Sequence, residues 1–567
     1  MQFSLKCIFL LLLLASQMSY AQVNWDWAIS GGGGTESYSN SRGHGIDFDN
    51  DGNTYMVGGI SSPSYIGGLT LETYNINPGW TDILITKYDE TGNLLWAKSA
   101  GGQFHDYAKD IDISDDGHLY VCGIFKGQAE FDEFTIGTAN VLSYFVAKLD
   151  TEGNFIWVKH GDAANVLENR NHNLAIHVSN DEFIYFSGYS YAGDPILGSS
   201  FTTPGPLGYT TFFLAQLDLA GNTNWVHFVN NEEYGGTGGN IGLDIVEDQF
   251  GNIIYAANIA RRHNTSPTSV TLYSNMIMGK LDNSGNPIWE EEFGDPSISV
   301  WSGFPYGVTI DEDGNIYVCG IYFKNFILSN SGNTAGSGGF MAKFDSMTGN
   351  VLTANSLKAS NGTIPHINDV SYDGMGNVVY TGHIYGTVNF GGISLSPVST
   401  TYNSDIFVAN YDTSGNLNWA IRYGHEGYDG SNAIHVNENV LAITGSFPDS
   451  LTFGTNTIYA DNYDTNARDL FLAVSHTGDT TNLIQLPNSE LSFNIYPNPA
   501  SSQVIIETVD ALENYTVELY TMDSYLIKRF ESLEDNHIDI SNLSAGSYLV
   551  VLRNEQVSLV KRFIKVD

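Results

Sequence analysis

One phrase recurs along this chain at nearly constant spacing, and that periodicity constrains the fold more than any other feature. It reads Asp89-Glu90-Thr91-Gly92-Asn93-Leu94-Leu95-Trp96 and returns over 150–157, 218–225, 282–289 and 412–419. A fainter copy begins at Asp345 and carries Leu352 in place of the Trp. The leading Asp residues lie 61, 68, 64, 63 and 67 positions apart. A second phrase alternates with the first. It reads Asp49-Asn50-Asp51-Gly52-Asn53-Thr54-Tyr55 and returns over 115–120, 248–255, 311–317 and 373–380, with weaker copies at 180–185 and 437–441. Together they mark seven units of about 65 residues.

Each unit reads as four strands. In the second unit, strand a is Asp110 to Ser114, b is Leu119 to Ile124, c is Tyr144 to Leu149 and d is Phe155 to Lys159. Asp/Gly/Asn turns join a to b and c to d, because Gly and Asn tolerate the positive φ of tight hairpins. The b-to-c and d-to-a links are long and irregular. Apolar residues at successive positions imply strands buried on both faces. The expected fold is all-β, a seven-bladed β-propeller; an open solenoid of stacked sheets is the alternative. Residues 23–30 look like an orphan strand d, and the seventh unit lacks one, so the N-terminal strand is expected to close the last blade. On this reading Trp25 joins Trp96, Trp157, Trp225, Trp289 and Trp419 at the repeated position, and Trp27, Trp80 and Trp301 are left over.

Charge narrows the function. Lys and Arg total 23 against 63 Asp and Glu, a formal net charge of −40. Such a surface repels phosphate backbones, so nucleic acid is excluded as a partner. A hydrophobic content of 42 % excludes a disordered chain. Residues 1–21 read as a signal peptide: Lys6, an apolar run from Cys7 to Ala15, and small residues before a cleavage point at Gln22. No later segment is long and apolar enough for a transmembrane helix. Cys122 and Cys319 occupy the same position in two distant units, so they read as two buried thiols rather than a disulfide.

The words Asp-x-x-Gly-Asn-x-Tyr and Asp-x-x-Gly-Asn-x-x-Trp resemble the SBBP repeats of exported bacterial β-propellers, over residues 23 to about 480. After Pro487 the pattern changes to short alternating strands, a small β-sandwich by pattern. The expected division is propeller 22–480, linker 481–489 and C-terminal sandwich 490–567. The tail resembles the type A C-terminal sorting domain of the Bacteroidetes-type type IX secretion system. The resemblance rests on Tyr496-Pro497-Asn498-Pro499, on Gly546 and Tyr548, and on Lys561 and Lys565 in the closing run. It implies the type IX machinery as a partner, and a chain that is secreted or attached at the outer-membrane surface. An ordinary accessory sandwich is the alternative.

Candidate sites fall on the loop face. Trp80, and Trp301 with Phe304 and Tyr306, are aromatics outside the repeat that suit stacking on sugar rings or local packing. The middle polar position of strand a runs Asp47, Asp112, His177, Asp244, Thr309, Ser371 and His435. Such a central ring suits hydrogen bonding between blades, or a cation. The Asp-x-Asp-Gly-Asn runs lack the twelfth-position acid of a calcium loop, so they read as turns. No motif specifies a metal, cofactor or catalytic residue, although the acidic surface suits divalent cations. His105-Asp106, Arg261-Arg262-His263 and His425-Glu426 are loop residues without assigned chemistry. The favoured reading is a non-catalytic propeller that binds an unidentified surface glycan or protein. A polysaccharide hydrolase or lyase, using a pair such as Glu426 and Asp429, is the alternative. A structural matrix component is the third.

Overall fold

The computed structural model describes the chain apart from residues 1–22, 34–39, 62–63, 72, 75–79, 139, 163–173, 180–182, 206–209, 230–242, 267–268, 295–302, 324–325, 330–331, 335–336, 399–402, 438–439, 461–466, 477–492, 498–499, 509–515, 522–525, 531–535, 554–557 and 567. The residues expected to form the signal peptide and the linker, and Trp301, lie outside the described residues. Contacts separate a unit of residues 24–481 from one at the C-terminal end.

In residues 24–481 the strands form seven successive antiparallel a-b-c-d sheets. Sheet 1 is Arg42–Phe48, Thr54–Ser61, Thr81–Tyr88 and Leu94–Gly102. Sheet 2 is Tyr107–Ile113, Leu119–Lys126, Leu142–Leu149 and Phe155–Asp162. Sheet 3 is Ala175–Val178, Phe183–Tyr191, Thr210–Asp218 and Thr223–Phe228. Sheet 4 is Leu243–Glu247, Ile253–Ser266, Ser269–Leu281 and Pro287–Phe293. Sheet 5 is Gly303–Ile310, Asn315–Tyr322, Gly338–Asp345 and Val351–Leu357. Sheet 6 is His366–Tyr372, Asn377–Ile384, Asp405–Asp412 and Leu417–Tyr423. Sheet 7 is Gly430–Asn437, Val440–Phe447, Asp469–Ser475 and then Trp27–Gly33, which pairs antiparallel with the third strand from Trp27 opposite Val474 to Gly31 opposite Leu470. Each strand a lies beside the strand a of the next sheet, and that of sheet 7 lies beside that of sheet 1. This is β-propeller architecture.

The apolar runs in strands b and c are explained by burial on both faces. Between sheets 2 and 3, for example, Tyr120, Cys122, Tyr144 and Val146 pack with Ile176, Phe186, Phe213 and Ala215. Both Cys122 and Cys319 are free and buried.

The repeated phrases do two jobs. The turn acid caps its own hairpin: Asp49 Oδ1 accepts the Asn53 N–H at 2.9 Å, and the Asn53 side-chain amide donates back to the same carboxylate. Asp150, Asp218, Asp282 and Asp311 do the same with Asn154, Asn222, Asn286 and Asn315. In sheets 1 to 4 the Trp then ties its sheet to the next. Trp96, Trp157, Trp225 and Trp289 donate their indole N–H to Thr151, Leu219, Asn283 and Ser346 carbonyls in the next sheet's c–d turn, at 2.9–3.1 Å. The turn Gly is obligatory beneath that ring. Gly285, at φ +79°, would put a Cβ 2.7 Å from the Trp225 indole.

This bond and the strand register correct two assignments. Trp27, not Trp25, holds the repeated position, since its indole donates to Glu90 O of sheet 1 at 3.0 Å. Trp25 instead donates to the Tyr423 hydroxyl at 2.8 Å and packs on Phe453. In sheet 5 the register opposite Lys343 falls on Thr353, while Leu352 is exposed, because the Asp345–Asn350 turn is one residue longer.

The b-to-c links are also less irregular than expected. Several hold short hairpins, and two of these extend a neighbouring sheet: Ser64–Ile66 pairs with Gly31–Gly33, and Ala129–Phe131 with Gly101 and Gly102. In sheet 4 strands b and c run as one long hairpin, so Arg261, Arg262 and His263 lie in a strand rather than a loop.

The C-terminal unit holds two antiparallel sheets, one of Phe493–Tyr496, Gln503–Thr508 and His537–Asp539, the other of Leu526–Phe530, Thr516–Thr521, Gly546–Arg553 and Ser558–Lys565. They share a core of Val504, Ile506, Val517, Leu519, Ile538, Val550, Leu552 and Phe563. His537–Asp539 was not legible as a strand because only three residues pair. Tyr548 donates its hydroxyl to Ser544 O at 2.9 Å and stacks on Phe563. Lys565 is buried and donates to Val566 O, whereas Tyr496 is exposed. Asn498 and Pro499 lie outside the described residues, as does the Lys561 side chain.

Candidate functional site at the mouth of the central channel

The strands nearest the axis carry a β-bulge, and the bulge builds the site. In sheets 1, 2, 5, 6 and 7 the a–b register skips His44, Lys109, Tyr306, Asn368 and Asn432 respectively. All five line one cavity of about 590 Å³ along the axis. A bulge re-aims a side chain that regular alternation would point elsewhere. The partner strand makes room with glycine: a Cβ at Gly58, Gly123, Gly320, Gly382 or Gly445 would fall on a strand-a carbonyl oxygen, that of Arg42, Tyr107, Phe304, His366 or Gly430. This recurrent strand-b glycine is the sequence signal that could have located the bulged residues.

Below the mouth, polar side chains stand in two tiers. In one, Asp110, Asp244 and Asp369 accept the backbone N–H of Ile176, Val308 and Ile434 in the next sheet at 2.9, 2.7 and 2.8 Å. In the other, Asp47 accepts from Ile113, Asp112 from Val178, Thr309 from Tyr372 and Ser371 from Val436, at 2.8–3.2 Å. Asp244 thus leaves the ring in which counting placed it. Its partner across the strand is Ala256, and the position equivalent to Asp47 is Val246, opposite Ile254. Asp110 and Asp369 are cavity-lining carboxyls that sequence counting missed.

Burial raises the Asp110 and Asp369 carboxyls to about 7 and pushes Asp244 and Asp47 well above the usual range. His177 behaves oppositely to a simple buried imidazole. Burial works against its charge, yet Asp112 at 2.8 Å and Glu247 at 3.4 Å raise it to about 10. His435 lies 3.5 Å from Asp47 and is lowered by burial. Among the described residues no group of three or more His, Cys, Asp or Glu is arranged to hold a metal ion.

The mouth itself has a different chemistry. His366 and His383 stack at 4.7 Å, and His383 Nε2 lies 3.1 Å from the Tyr385 hydroxyl. Burial lowers both imidazoles, His366 to about 4. Asn368 bridges His383 Nδ1 at 3.2 Å and Ser431 O at 2.7 Å. Arg42, Arg468 and Tyr428 complete the rim. None of these was singled out from sequence.

Of the aromatics singled out, Tyr306 lines the cavity and stacks toward His366 at 6.5 Å. Phe304 is buried against Phe323. Trp80 stacks on Phe104 at 5.5 Å and beside His105, outside the cavity lining. Asp106 is buried and spends its carboxylate on the Gly102 and Lys126 N–H groups. The suggested Glu426–Asp429 pair is split by environment: Glu426 is exposed, while Asp429 is buried and accepts the His425 N–H at 2.9 Å.

Two family models match parts of the chain. Residues 494–566 match the family described as Secretion system C-terminal sorting domain, and residues 292–320 match Beta-propeller repeat. No curated protein is significantly similar in sequence. Among solved structures, a quinohemoprotein alcohol dehydrogenase from Comamonas testosteroni is 9 % identical, with 85 % of this chain and 79 % of that one covered at a TM-score of 0.38. A PL25 ulvan lyase is 8 % identical over 76 % of this chain and 93 % of its own, at 0.39. A protein of unknown function from Dyadobacter fermentans is 9 % identical over 65 % and 93 %, at 0.34. Among the described residues no helix is long and apolar enough to cross a membrane. The chain therefore carries an SBBP-type β-propeller repeat and ends in a type IX secretion system sorting domain, which implies export.

Proposed function

We propose that this chain is an exported seven-bladed β-propeller, closed by Trp27–Gly33, that binds a glycan or protein ligand at the cell surface through the mouth of its central channel. The division is propeller 22–480, linker 481–489 and sorting domain 490–567, with Tyr496 to Pro499, Gly546, Tyr548, Lys561 and Lys565 serving recognition by the secretion machinery. One observation carries the binding role: a cavity of about 590 Å³ into which five sheets each turn a bulged residue. That volume falls within the ~300–1,000 Å³ of ligand pockets. A glycan and surface-protein array probed with the full chain tests it. Tyr306→Ala is expected to abolish retention, and Trp80→Ala to leave it unchanged. The opposite pattern would move the ligand away from the channel. Deleting 494–566 is expected to keep the protein inside the cell, as read by fractionation.

A catalytic reading has one supporting feature: with Asn368 donating to Nδ1, the neutral His383 donates its Nε2–H to the Tyr385 oxygen and leaves the phenolic proton free. A phenol oriented in this way suits proton donation to the leaving oxygen of a polysaccharide. Polysaccharide cleavage lost in His383→Ala would support it; intact polymer with the wild type would remove it.

A further inference from the structure

The chain has a formal net charge of −40, yet the channel mouth gathers cations. Arg42 is oriented by an amide, with Nε and Nη2 donating to Asn40 Oδ1 at 3.1 and 2.9 Å. Lys109 lies over the Tyr107 ring, 5.3 Å from its centroid, and Arg468 over Tyr428 at 5.4 Å. Among the described residues neither Arg42 nor Lys109 forms an ion pair. On the same wall, His44 Nε2 is buried without a hydrogen-bond partner. Six acids line the same cavity, and each is engaged by protein groups: Asp47, Asp110, Asp112, Asp244 and Asp369 hold backbone N–H groups of the next sheet, and Asp429 holds the His425 N–H. Burial and the Arg42 charge pull Lys109 down to about 8, and burial and Arg468 lower Arg42. Gathering like charges in a partly desolvated mouth is unfavourable until an anion enters.

We propose that this mouth binds the carboxylate or sulfate group of an acidic glycan, with Arg42, Lys109 and Arg468 around the oxyanion and His44 beside it. A guanidinium fork suits two oxygens of either group, and an ammonium adds a point charge. The assignment rests on the channel mouth being the ligand site.

Isothermal titration of the full chain tests it with three probes: an oligogalacturonate for the carboxylate arm, a sulfated oligogalactan for the sulfate arm, and a neutral cello-oligosaccharide. At least one charged probe is expected to bind, with affinity falling as salt rises. Arg42→Gln and Lys109→Met should each weaken it tenfold or more, whereas Lys109→Arg should retain it. Thermal melts of each variant separate loss of fold from loss of site, and the Met/Arg contrast at 109 stands even if Arg42→Gln fails to fold. Failure of both charged probes, or binding indifferent to Lys109→Met, overturns the anion site. If the neutral probe then binds and Tyr306→Ala abolishes it, the channel mouth survives as a ligand site. If that binding is absent too and the glycan and surface-protein array retains nothing that Tyr306→Ala releases, both readings fall.

Discussion

At the scale of single residues, the axis of this protein is held by side chains whose charge depends on pH. His177 is raised to about 10 from an ordinary 6.5, so its contribution to stability is fully present below about pH 6.5 and is lost as pH rises through 10. Melting temperatures of wild type and His177→Gln are therefore expected to differ most below pH 6.5 and to converge toward pH 10. A constant difference would mean that the Asp112–His177–Glu247 bridge carries no net charge interaction. The Asp110 and Asp369 carboxyls are raised to about 7 from 3.8, so their window is lower. Their stabilising protonated form is lost between about pH 4 and 7. Asp369→Asn should flatten the decline in that window alone; an unchanged slope would count against burial as the cause.

At the scale of elements, two devices repeat. The first is the Trp of one sheet lying over the turn Gly of the next. Trp225→Ala removes a bond to Asn283 O and the packing on Gly285. Its expected cost is about 2 kcal/mol, below the ~3–5 kcal/mol of a fully buried Trp because the ring is partly exposed. Denaturant unfolding measures it, and a cost near zero would make the indole decorative. The second device is the bulge with its facing glycine. Gly382→Ala would drive a methyl onto the His366 carbonyl oxygen, at a cost of about 2 kcal/mol or more. Because the same bulge presents Asn368 to the cavity, ligand binding should weaken along with stability. Preserved binding in a destabilised variant would separate the bulge from the site.

At the scale of the whole molecule, the first strand finishes the last sheet, bringing residue 27 opposite residue 474. A chain starting after Gly33 would leave the Asp469–Ser475 strand as an open edge, and it would strip the Trp27–Glu90 bond from sheet 1. Such a truncation is expected to melt at lower temperature and to self-associate, as light scattering would register. A truncated protein that stays monomeric with an unchanged melting point would refute the closing role of that strand.

The sequence by itself determined the repeat, the strand order and the turn chemistry. Each of these rests on local spacing: an Asp reaches an N–H four residues on whatever the rest of the fold does. It also carried the sorting domain, whose words are contiguous. Counting blurred where spacing varies. A longer turn moved the sheet 5 register to Thr353, and Trp25 was taken for Trp27. Asp244 was placed two residues from its true tier. Tertiary structure alone decided the site. Arg42 and Arg468 are 426 positions apart, and only a ring of sheets returns them to one rim. A bulged residue breaks the two-residue alternation by which strands are read, so its direction depends on a carbonyl in one strand and a missing Cβ in the next.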